Sequence, residues 1–198
     1  MEFLIPFIGF IFITTITPGP NNFLLAASGI RFGFRRTLPH VVGIHFGVYA
    51  LVALCGLGLG QVLLAAPGAL LILKVFGTVY LVYLAWKILG FAPGDQQDED
   101  VASPMTITQA LIFQFSNPKA WMMAAAGLNI SIAFNDSMLT AVLLLCAGFA
   151  SLGVFCNFTW VLMGASLRDA FTVPVYRYWI NGGLALLTIT TVIMFWMP

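Results

Sequence analysis

Charge is what this sequence has least of. Only 8% of its 198 residues are Asp, Glu, Lys or Arg and 61% are hydrophobic, whereas soluble domains carry about 25% charged residues. Water is the wrong solvent for such a surface. No run of basic residues occurs and the net charge is +1, which leaves nucleic acid nothing to hold. No CxxC occurs either. Cys55, Cys146 and Cys156 each stand alone in apolar stretches, which argues against a zinc site and against thiol redox chemistry. They read as small packing residues, and no metal or cofactor is expected. The opening MEFLIPFIGF lacks a basic n-region and a small-residue cleavage site, so the first apolar segment is expected to remain in the mature protein.

What is present is a series of apolar runs. A membrane span needs about 20 mostly apolar residues, and six such runs are read, roughly 3–29, 38–63, 68–90, 107–132, 138–166 and 175–197. Arg31, Arg35, Arg36 and Pro39 separate the first two, and Ala66-Pro67-Gly68 the next pair. The only strongly polar stretch, APGDQQDEDVASP at 92–104, divides the chain into halves. The expectation is an all-α membrane protein of one domain, 1–198, with a first three-helix repeat at 1–91, a linker at 92–106 and a second repeat at 107–198. Arg31, Arg35, Arg36, Lys87, Arg168 and Arg177 lie in or beside the loops after spans 1, 3 and 5, against Lys74 alone on the other side. The positive-inside rule then makes the linker cytoplasmic and puts both termini outside. Three spans per half invert the second half relative to the first, as in the inverted repeats of secondary transporters. Aligning Pro20 with Pro118 sets TPGPN beside FSNPK, each in the first span of its half.

Those two segments are the worst possible interiors for a helix. Proline removes an N–H and clashes one turn back, and it pushes the residue before it out of the helical region. Thr17, Gly19 and Asn117 are biased non-helical for that reason. Lipid cannot satisfy the freed carbonyls, so irregular backbone at this depth must face protein or a wet cavity. Asn117 before Pro118, and Gly19 before Pro20, suit an N-cap and a first helical residue. Spans 1 and 4 are therefore expected to be broken helices. Each restarted half points a positive end inward, and each preceding half ends in carbonyls that suit a cation. Thr14, Thr15, Thr17, Asn21, Asn22 and Asn117 flank the breaks. The plainer reading is an ordinary kinked helix, but two breaks in equivalent spans favour a polar site.

Lys119 falls near the middle of span 4, where a lysine costs roughly 2.5–3.5 kcal/mol on the insertion scale. It reads as a partner for a carboxylate or as a proton carrier; the plainer reading is a lysine that snorkels or pairs with a carbonyl. His45, with Tyr49 one turn further on, reads either as a proton carrier or as a hydrogen-bonded structural histidine. His40 is expected at the interface, and Asn157 as interhelical glue. Gly43 and Gly47 read as a close-packing pair, and Trp86, Trp179 and Trp196 as interfacial belt residues. None of the acids lies within a span.

TPGPNN at 17–22, GFRR at 33–36, YLVYLAWKI at 80–88 and QFSNPKA at 114–120 together resemble the LysE/RhtB amino-acid exporters, in order and over essentially the whole chain. The pattern is most similar to the cysteine/O-acetylserine exporter branch. The resemblance implies a transporter rather than an enzyme, moving amino acids or close derivatives out across the bacterial inner membrane in exchange for protons. It carries over Pro18, Gly19, Pro20, Asn21, Asn117, Pro118 and Lys119 as the transport site, to which the residues' own chemistry adds Thr17, Asn22 and His45. The expected partners are a small amino-acid substrate, protons and the lipid bilayer, with a homodimer left open. With no acid in a span, a neutral side chain, as in cysteine, O-acetylserine, threonine or homoserine, fits better than a basic one. Export of basic amino acids is one alternative. A membrane thiol-redox protein of the same superfamily is another, although Cys146 and Cys156 lie nearly three helical turns apart. A structural or assembly subunit is the third.

Overall fold

The first apolar segment is two helices. α1 (Leu4–Ile16) stops short of Pro18, and α2 (Pro20–Phe32) restarts at a 55° angle to it. The computed structural model describes residues 4–60, 65–90 and 103–196, so all of the 92–104 linker but its last two residues lies outside the described residues. One residue, Gly33, separates α2 from α3 (Phe34–Gly56); its φ of +78° is a conformation that favours glycine. Then come α4 (Pro67–Gly90), α5 (Ile107–Phe115) and α6 (Pro118–Ile132). α5 opens on a capping box: Gln109 N donates to Thr106 Oγ1 at 3.2 Å, and Thr106 N to Gln109 Oε1 at 2.9 Å. α7 (Met138–Gly148) runs through a π-helical turn, Phe149–Gly153, into α8 (Val154–Ser166), and the short α9 (Arg168–Phe171) leads to α10 (Pro174–Trp196).

Every regular element among the described residues is helical. Phe34–Gly56 and Met138–Ser166 are each long and apolar enough to cross a membrane, and α1 with α2 qualifies as one broken span. α3 begins ahead of the expected 38 because it runs through Pro39 in its early turns. His40, one residue after Pro39, is buried, 1% exposed, and among the described residues neither of its ring nitrogens has a hydrogen-bond partner.

Small residues let the helices meet backbone to backbone. A Cβ on Gly29 of α2 would collide with the Val161 carbonyl oxygen of α8, and one on Gly164 of α8 with the Ala26 carbonyl oxygen. Gly43 and Gly47 seat α3 on α5 in the same way, against the Ile107 and Leu111 carbonyl oxygens. Such contacts give membrane helices the dispersion energy that lipid, as apolar as they are, does not otherwise provide. α4 and α10 form a third pair, joined where Trp196 Nε1 donates to Thr78 Oγ1 at 2.9 Å and the Lys74 ammonium lies 6.0 Å from the Trp196 ring. Outside, large apolar side chains stand open: Ile5, Phe76, Trp86, Leu139, Phe155 and Tyr178 are each well over half exposed. In water such a surface would aggregate. Inside are Phe23, Leu25, Leu51, Phe149 and Val161, and among them the buried amides Asn22, Gln114, Asn117 and Asn157.

Candidate functional site

Pro18 and Pro20 cannot donate to the carbonyls one turn back, so the end of α1 is left with acceptors to satisfy. Each finds a donor. The Ile13 carbonyl takes Thr17 N at 3.1 Å, and the Thr14 carbonyl takes the Thr17 hydroxyl at 3.3 Å. Asn22, two residues into α2, turns its Nδ2 back to the Thr15 carbonyl at 2.8 Å and the Thr17 carbonyl at 2.7 Å. Trp160 reaches over from α8 to give Nε1 to the Ile16 carbonyl at 3.0 Å. The remaining donor is Lys119. Its Nζ lies 2.7 Å from Thr17 O, 3.1 Å from Thr17 Oγ1 and 3.2 Å from Pro18 O. A half-helix ending in carbonyls carries negative partial charge, and here that end is met by an ammonium from another helix, α6.

The second break closes within itself. Ser116 N and Asn117 N donate to the carbonyls of Phe113 and Gln114 at 3.0 and 3.1 Å, a tightened last turn, while Trp121 Nε1 donates to the Phe115 carbonyl at 3.0 Å. Asn117 then caps α6, its Oδ1 accepting from Lys119 N at 3.1 Å, with Pro118 at the head of the helix. That cap fixes where Lys119 starts. Pro20 heads α2 in the same way, behind an extended Gly19.

Between the breaks lies a cavity of about 30 Å³, room for a couple of water molecules and too little for an amino acid. Gly19, Pro20, Asn21, Asn22, His45, Asn117 and Lys119 line it, all expected from sequence. Thr17 and Pro18 stand beside it through the oxygens that hold Lys119. Pro118 is buried and acts by starting α6. Among the described residues, Lys119 thus pairs with two carbonyl oxygens and a hydroxyl. His45 is bonded on both sides. Asn157 Nδ2 donates to Nε2 at 3.1 Å, which leaves the ring proton on Nδ1, 3.5 Å from the Tyr49 hydroxyl oxygen. Asn157 therefore does bind helix to helix, as expected, and also lines the cavity.

Several members were not foreseen. Gln114 of α5 is fully buried and forms a reciprocal amide pair with Asn21 of α2, at 2.8 and 3.0 Å. The π-turn supplies Phe149 and Gly153 to the cavity wall, with Gly153 leaving room for the His45 ring: a Cβ there would sit 3.3 Å from His45 Cε1. Trp160 lies within two turns of the end of Met138–Ser166, where a tryptophan is unremarkable, so nothing in the sequence marked it. Thr15, by contrast, was among the residues expected beside the break; it lines the cavity at 8% exposure, and its hydroxyl has no hydrogen-bond partner among the described residues. Among the described residues no acid lines the cavity.

Residues 12–196 match a family model described as LysE type translocator. The chain is 30% identical over 177 residues, 89% of its length and 89% of the relative's, to a cysteine/O-acetylserine efflux protein of Escherichia coli O139:H28 (strain E24377A / ETEC). Proteins of the same description from Escherichia coli K12 and Shigella flexneri are 29% identical over the same shares. No solved structure matches the chain.

Proposed function

The chain belongs to the family of LysE type translocators, and from that premise we propose that it exports a small neutral amino acid or derivative across a bacterial inner membrane in exchange for protons. Membership makes it a membrane transporter and not an enzyme. The substrate is of the cysteine/O-acetylserine or threonine/homoserine type. One observation carries this choice: the polar groups lining the cavity at the helix breaks are amides, hydroxyls, one imidazole and one ammonium, with no acid among the described residues. A zwitterion finds carbonyl ends for its amino group, and Lys119 or the cap of α6 for its carboxylate. A basic side chain would enter without a counter-charge, which disfavours the basic amino acids. Lys119 and His45 are the titratable groups lining the cavity and carry the exchanged proton in this reading.

The transporting unit in this proposal is six spans in two inverted three-helix repeats, with the 92–104 linker cytoplasmic. Support comes from Pro20 and Pro118, which align in sequence and both head a restarted helix. The test is efflux. Cells overproducing the protein should release more of one neutral amino acid or derivative, from a panel that includes arginine and lysine, than cells carrying Lys119→Met. Release of arginine or lysine alone would defeat the missing-acid argument, and release of nothing would defeat the exporter reading.

A further inference from the structure

Lys119 is held by more than its charge requires. An ammonium has three N–H donors, and three oxygens surround this one, Thr17 O, Thr17 Oγ1 and Pro18 O, at 2.7, 3.1 and 3.2 Å. The Thr17 carbonyl uses one lone pair on Asn22 and the other on the lysine. Gly19 lies under the lysine stem, where a Cβ would come within 2.9 Å of Cδ and 3.0 Å of Nζ. The Gly19 backbone itself is extended, φ −177° and ψ 175°, which alanine also adopts, and before proline as readily as elsewhere. Glycine at this position makes room for the lysine. The buried, unpartnered Thr15 hydroxyl lines the same cavity, one more oxygen than Lys119 uses.

We infer that these oxygens at the end of α1 form a primary-ammonium site that Lys119 and the substrate's amino group occupy in turn. With no substrate Lys119 fills it. A substrate ammonium offers the same three donors and displaces the lysine, whose flexible stem carries its charge toward the substrate carboxylate. Displacement also enlarges a cavity of about 30 Å³, too small for an amino acid while the lysine is seated. Lys119 is in this sense a tethered competitor, and the site is selective for ammonium groups that can donate hydrogen bonds. The identity of the displacing amine rests on the exporter reading; the ammonium site does not.

Thermal unfolding of the full chain in detergent, with methylammonium, tetramethylammonium or sodium chloride at equal concentration, tests the site without transport. In Lys119→Ala the site is open, and methylammonium should raise the midpoint by roughly 2–4 °C at about five times its dissociation constant. Tetramethylammonium, which has no N–H, and sodium should not raise it, and wild type should respond to none of the three. Lys119→Ser vacates the same oxygens with a different side chain on α6, so it should respond in the same sense; it carries the test if Lys119→Ala does not fold. Equal shifts with all three cations, or no methylammonium shift in either variant, would overturn the inference. A methylammonium shift in a protein that exports no amino acid would leave the site standing and remove the exporter reading. Export without the shift would remove only the exchange of ammonium groups.

Discussion

The Trp160 indole donates to the Ile16 carbonyl, one of the acceptors freed by Pro20. Trp160→Phe keeps an aromatic ring beside Phe23, 6.0 Å between centroids in the native pair, and removes that donor together with the volume of one ring. The expected cost is about 1–2 kcal/mol, read by reversible unfolding in detergent; an unchanged midpoint would mean that the carbonyl finds another partner. Lys119 should behave differently. Lys119→Met should insert and fold yet lose most efflux, since a charge is costly in the membrane and this one lies at the cavity. Lys119→Arg keeps a charge that does not titrate. Efflux by Arg but not Met would favour carboxylate binding over proton exchange, and near-normal efflux by both would sink either role. Lys119, Asn117 and the prolines were legible in the sequence because each breaks a local rule, a charge in an apolar span or a proline in a helix. Gln114 and Trp160 break none. Their roles depend on Asn21 and Ile16, which lie far away in the chain, and periodicity does not report such pairings.

At the scale of elements the breaks were the readable part, since freed carbonyls in lipid demand partners wherever they fall. Less readable was how each break is satisfied. The first draws donors from α2, α6 and α8, whereas the second closes on its own turn. The π-turn at Phe149–Gly153 left no mark in an apolar run, and Pro39 looked like a helix boundary although α3 accommodates it. Gly43 and Gly47 announced close packing by their spacing, but Gly29 and Gly164 are far apart in sequence and meet only in the fold. Gly164→Ala should therefore drive α2 and α8 apart, because the Ala26 backbone occupies the place of the new methyl, at about 1–3 kcal/mol. Gly183→Ala is the control. Nothing lies within 4 Å of its added Cβ, so its unfolding midpoint should hold or rise slightly. Equal losses in both variants would show that helix propensity, not contact, governs these sites.

For the whole molecule, the bias of basic residues predicts a cytoplasmic linker with both termini outside. In a background without Cys55, Cys146 and Cys156, a cysteine at Gln96 should resist an impermeant thiol reagent in intact cells, while one appended after Pro198 should react. The reverse labelling would invert the topology. Family and membrane character were legible because motifs and apolar length are local properties of the chain. The small size of the cavity was not, because it depends on where the Lys119 stem comes to rest. The central claim is that this cavity couples an outward-moving neutral amino acid to inward-moving protons. Its most direct measurement is flux in proteoliposomes of known orientation, with O-acetylserine, cysteine, threonine, homoserine and arginine each presented under an imposed proton gradient. The account predicts uphill movement of at least one neutral solute, stopped by a proton uncoupler and by Lys119→Met, and no movement of arginine. Uphill movement that survives the uncoupler, or movement of arginine alone, would contradict it.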